Sequence, residues 1–206
     1  PPFRSGAGTA YVPVIVEVPG RELLEGDEGD QLPVEIFAYV SDEQGRMEDF
    51  FAQRIGLDAG GGREALASSG IKYYGHLELD SGRYLLRVLV RNGTTGRTGV
   101  KTVPIVVPAL GDQDPVVLGP FFPEPPGRWL LVRERSENPE ADRVVYPFTV
   151  NGDPYIPSAR PKVVAGDAAD FVLVGYHLGS NDVSLEGRVL DGAGTEVPGG
   201  VLSLVE

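Results

Sequence analysis

Residues 79–90 read LDSGRYLLRVLV. Leu79 ends one apolar alternation, Asp80, Ser81 and Gly82 are the polar and small residues of a tight turn, and Tyr84 heads a new strand on which Leu86, Val88 and Val90 recur at every second position. An apolar strand end, a tight turn and a tyrosine heading the next strand form the crossing from one sheet of a β-sandwich to the other, with the tyrosine hydroxyl bonding back to the upstream backbone. Directly after it comes RNGTTGRTG (91–99), a basic, glycine-rich loop, and then a second long strand, VKTVPIVV (100–107).

Upstream the same period of two repeats. YVPVIVEV (11–18) places Val12, Val14, Val16 and Val18 on one face and Tyr11, Ile15 and Glu17 on the other. LPVEIFAYV (32–40) turns Leu32, Val34, Ile36, Ala38 and Val40 inward. Asp42 to Gly45 reads as a hairpin turn, and RMEDFFAQRIGLD (46–58) as its return strand. AGGGREALASSG (59–70) is too short and too rich in Gly and Ser for more than a helical turn around Glu64 to Leu66. IKYYGHLEL (71–79) then resumes the alternation with Ile71, Tyr73, Leu77 and Leu79. Strands near 11, 32, 46, 71, 84 and 100 are what one immunoglobulin-like sandwich needs, so residues 9–108 are expected to form one.

The stretch 109–127 is rich in proline and glycine and reads as a linker. Beyond it, RWLLVRE (128–134), RVVYPFTV (143–150), AADFVLVGYHL (168–178) and the hairpin VSLEGRVLDGAGTEV (183–197) suggest a second sandwich over 128–206. Gly166-Asp167 with Asp170 before Val172, Val174 and Tyr176 matches Gly26-Asp27 with Asp30 before Leu32, Val34 and Ile36. Nothing after Glu206 supplies a counterpart of LDSGRY and its closing hairpin, so this second copy is expected to be truncated. The predicted fold class is all-β, two tandem immunoglobulin-like sandwiches.

Composition agrees. Over 206 residues, 28 Gly and 18 Pro suit short strands and turns better than helices. The net charge of −12 repels nucleic acid and anionic lipid. The absence of cysteine removes disulfides, thiolate catalysis and thiolate-bound zinc. No apolar run is long enough to span a bilayer, and the opening PPFRSGAG lacks the regions of a signal peptide and an initiator Met, as expected of a piece excised from something longer.

Candidate chemistry is sparse. RNGTTGRTG lacks the Gly-x-x-x-x-Gly-Lys spacing and following helix of a phosphate loop, so it reads as a hairpin. Asn92-Gly93-Thr94 is formally a glycosylation sequon, but Asn-Gly is also the favoured hairpin dipeptide. Glu25, Asp27, Glu28 and Asp30 are weak calcium candidates, without the order of a calcium loop. His76 and His177 each sit in an expected strand, remote from any second imidazole, and no Gly-x-Ser-x-Gly occurs. Neither a cofactor nor a catalytic residue is assigned. Phe37 and Tyr39, opposite the core face of their strand, and Phe121 and Phe122, in the linker, are the partner-binding candidates. The competing reading has the 57–70 loop covering the first pair and the second pair wedged between domains.

YVPVIVEVPGREL (11–23), LPVEIFAYV, GIKYYGHLELDSGRYLLRVLVRNGTTGRTG (70–99), FFPEPPGRWLLVRE (121–134) and YPFTVNGDPYIPSARP (146–161) together resemble the region that follows the von Willebrand factor A domain in bacterial VWFA-related domain proteins. The resemblance implies tandem β-sandwich modules in an exported, extracytoplasmic protein. The Asp-x-Ser-x-Ser metal motif of the A domain is absent, so no adhesion-type metal site carries over. The expected function is a noncatalytic structural or protein-binding module of a larger exported bacterial protein. The alternatives are a carbohydrate- or calcium-dependent adhesive module and, further off, a hydrolase.

Overall fold

The computed structural model describes residues 2–4, 9–109, 114–125, 129–133, 146–164, 166–179, 184 and 186–197. Its first half runs β1 (Phe3–Arg4), β2 (Ala10–Val18), α1 (Gly20–Leu24), β3 (Gln31–Asp42), β4 (Met47–Asp58), α2 (Arg63–Ser69), β5 (Ile71–Leu79), β6 (Gly82–Asn92) and β7 (Thr98–Val107). The second half adds β8 (Val116–Phe121), β9 (Leu130–Arg133), β10 (Thr149–Val150), β11 (Asp153–Pro154) and β12 (Val172–Tyr176). Each of the six expected strands of the first half is present. No described helix is long and apolar enough to cross a membrane.

Two four-stranded sheets face each other, one ordered β1-β2-β5-β9 and the other β4-β3-β6-β7. The period of two sends Val12 and Val14 of β2, Leu32 to Val40 at even positions of β3, Ile71, Tyr73 and Leu77 of β5, and Leu86 and Val88 of β6 into the core between them. The β3–β4 hairpin turns where the Asp42 carboxylate accepts the Gln44 and Arg46 N–H groups at 2.9 and 2.8 Å. The chain crosses between sheets from β5 to β6, and the Tyr84 hydroxyl donates to the Asp80 carbonyl at 3.0 Å, as the opening stretch predicts. Both helices lie at one end, α1 carrying the chain from β2 to β3 and α2 from β4 to β5. They meet so closely at Gly20 that a side chain there would run into the Leu66 carbonyl.

The residues expected to form a second sandwich, 128–206, are used differently where they are described. β9 joins the sheet of the first half, running parallel to β5 with Ile71 opposite Leu130 and Tyr74 opposite Arg133. The presumed linker contributes β8, which pairs antiparallel with β12. Leu118 and Phe121 of β8 and Val172 and Val174 of β12 pack with Phe148 against Tyr11, Ile15 and Tyr74, on the outward face of β2 and β5. The physical reason lies in those two strands. Their outward positions carry aromatic and aliphatic side chains, so both faces of this sheet need cover. The hairpin turns expected at Asn151-Gly152 and Asp191-Gly192 are present, with Asn151 at φ 52° and the Asp191 carboxylate accepting the Ala193 and Thr195 N–H groups. The charged loop SENPEAD (136–142) and the terminal VLSLVE (201–206) lie outside the described residues.

Candidate binding face

The acidic loop and the basic hairpin, two separate candidates in the sequence, meet. Asn92 ends β6 buried, its Nδ2 donating to the Leu23 carbonyl at 2.9 Å and to Asp27 Oδ2 at 3.1 Å, while its Oδ1 accepts the Thr94 and Thr95 N–H groups. In the folded chain the amide of the sequon is therefore committed to structure. Asp27 is buried too. Burial pushes its carboxyl up, but the Gly29 N–H, the Asn92 amide, the Thr94 hydroxyl and the Arg63 charge outweigh this and hold it below its ordinary value. The Arg63 guanidinium donates to the carbonyls of Asp27 and Gly29 at 2.6 and 2.7 Å, pinning α2 to the loop. Glu25 pairs with Arg97 at 2.7 Å. Of the four calcium candidates, Asp27 and Glu25 are thus engaged by protein groups. Among the described residues no three His, Asp or Glu side chains converge on a metal position.

A cluster that no sequence motif marks lies on the outward face of β5. Lys72 is fully buried, and its Nζ donates to Glu17 at 2.6 Å, to Glu124 at 3.0 Å and to the Pro157 carbonyl at 3.0 Å, 4.8 Å from the centre of the Trp129 ring. Glu17 also accepts the Ala159 N–H at 2.6 Å. One ammonium thus ties β2, β5 and three segments of the second half together, with each of its protons placed. Next to it, Tyr11 and Tyr74 share a 2.6 Å hydrogen bond, and Tyr11 stacks on His76 with ring centres 4.8 Å apart. Burial, with Tyr146 nearby, pushes the Tyr155 hydroxyl up to about 12. His177 follows β12 at φ 51° rather than lying within a strand.

Of the four aromatic candidates, two face inward. Phe121 is buried with Phe3 and Phe148, and half-buried Phe122 packs against Phe171 at 5.9 Å. Phe121 is part of the aromatic layer that covers β2 and β5. Phe37 differs. It lies 41% exposed on the outer face of the β4-β3-β6-β7 sheet, because the 57–70 segment folds over the end of the sandwich instead. Cross-strand register sets Ala52, Phe37, Leu89 and Val100 in one row across all four strands, about 14 Å wide at the usual strand spacing. The row on one side is Phe50, Tyr39, Arg87 and Thr102, and that on the other is Arg54, Glu35, Arg91 and Thr98. Phe50 and Val100 are 60% and 59% exposed. Tyr39 is partly covered by Arg87, which donates to its hydroxyl at 3.0 Å. The side chains of Ala52, Phe37, Leu89 and Val100 form a continuous apolar row on a solvent-facing sheet.

No family model and no curated protein matches the chain. Among solved structures, a Bacteroides uniformis beta-glucuronidase aligns over 60% of this chain and 14% of its own length, at 12% identity and a TM-score of 0.37. A calcium-binding mutant of Bacteroides uniformis beta-glucuronidase 2 aligns over 57% and 13%, at 12% identity and a TM-score of 0.34.

Proposed function

We propose that this chain is a noncatalytic, protein-binding β-sandwich module, and that the outer face of the β4-β3-β6-β7 sheet is its binding surface. The observation that carries the reading is the outward apolar row in which exposed Phe37 and Val100 flank half-buried Leu89. The order β1-β2-β5 against β4-β3-β6-β7, with the corner bond of Tyr84, supports an immunoglobulin-like first half. The described residues of the second half form a structural layer on the opposite sheet, and none of them packs on the proposed binding face. As the resemblance to VWFA-related proteins implies, the module belongs to a larger exported bacterial protein.

Site-specific photo-cross-linking in the producing cell tests this. A photoreactive phenylalanine at Phe37 or Leu89 is expected to give one discrete adduct identifiable by mass spectrometry, and the same group at exposed Glu64 of α2 to give none. Equal adducts from all three positions, or none from any, remove the reading.

A further inference from the structure

From the distribution of charge on this face we infer that the partner is an amphipathic helix whose apolar stripe is flanked by carboxylates; the inference rests on the binding face proposed above. Between Pro33 and Val106 the outward register positions carry Arg54, Arg83, Arg87 and Arg91 against Glu35 alone. Four positive groups against one negative stand on a chain whose net charge is −12. On this face arginines outnumber acidic residues, the reverse of the balance in the whole chain.

Their arrangement selects a shape. Arg87 and Arg91 lie four residues apart on β6, about 13 Å, one on each side of the apolar row. An α-helix is about 10–12 Å across, so one laid along the row fits between the arginine rows and brings flanking Glu or Asp within reach of both. About two and a half turns of helix span the four strands. Arg83 is held by Glu43 and Arg91 by Glu35 at 3.5 and 3.3 Å in the free chain, both in exposed pairs that an incoming carboxylate displaces at little cost. A second copy docked face to face would set arginine against arginine. A nucleic acid extends beyond the face into the repulsion of the rest of the chain, whereas a short helix feels only charges within about a Debye length, ~8 Å in physiological salt.

Two synthetic helical peptides of about 14 residues test the inference with the full chain. Both share a Leu and Phe stripe; one is flanked by Glu, the other by Lys. By fluorescence anisotropy the Glu peptide is expected to bind, to weaken as salt rises, and to lose about tenfold or more in affinity to R87E and to R54E, both at exposed positions; the Lys peptide is expected to bind at least about tenfold more weakly. Equal binding of the two peptides, binding of neither, concentration-dependent self-association through the face, or a preference for phosphatidylglycerol vesicles overturns it. A discrete cross-link from Phe37 together with failure of the Glu peptide keeps the binding face and discards the acidic helix. Failure of both experiments discards both.

Discussion

Lys72 is a cation with no exposed surface, and its worth depends on its partners staying in place. Replacing it with methionine leaves the half-buried carboxylates of Glu17 and Glu124 without their shared cation, which is expected to cost up to about 3–5 kcal/mol in urea unfolding. Adding Glu17→Gln and Glu124→Gln to Lys72→Met is expected to recover much of that loss. Asp27 makes a prediction in pH. Its carboxyl sits below the ordinary 3.8, so its contribution is fully present above that value and is lost as the pH falls through the lower folded-state value. Unfolding midpoints followed from neutral to below about pH 4 should fall more steeply for the native chain than for Asp27→Asn. Neither residue was legible as structural in the sequence. Lys72 meets Glu124 and Pro157 across 52 and 85 positions, and Asp27 meets Asn92 across 65, separations at which local pattern carries no information.

At the scale of elements the sequence was far more legible, because a half-buried strand writes its burial at every second residue. The LDSGRY crossing, the Asp42 turn and the β6–β7 hairpin each rest on local chemistry and appear as read. The outward face of β2 and β5 was less legible. Tyr11, Ile15 and Tyr74 already marked a second apolar face there, but a strand paired in parallel from far along the chain has no local signature. Packing between the sheets is tight enough to test. A Cβ on Gly75 would stand 2.9 Å from Phe51 Cζ across the core. Gly75→Ala is therefore expected to destabilise by about 1–3 kcal/mol in denaturant titration, with the fold retained by circular dichroism.

The described residues form three layers: the β4-β3-β6-β7 sheet, the sheet of β2 and β5, and the aromatic layer of the second half. Residues 1–109 contain all of β1 to β7, yet cut there the chain exposes Tyr11, Ile15 and Tyr74 and strands Lys72 without Glu124 or Pro157. This truncated chain is expected to unfold at clearly lower urea than the full one and to self-associate, as measured by light scattering. The asymmetry also separates tasks, since the layer that stabilises and the face proposed to bind lie on opposite sheets. Surface changes at Phe37 or Arg87 should consequently leave the unfolding midpoint nearly unmoved.

Trp129 is the single tryptophan of the chain, and it lies beneath the Lys72 ammonium at the seam between the halves. The molecule thereby carries an optical gauge of its own joint. Selective excitation of that indole reports when the second half lifts away, while far-ultraviolet dichroism follows the strands, so one unlabelled sample can reveal whether the layers part before the sandwich melts.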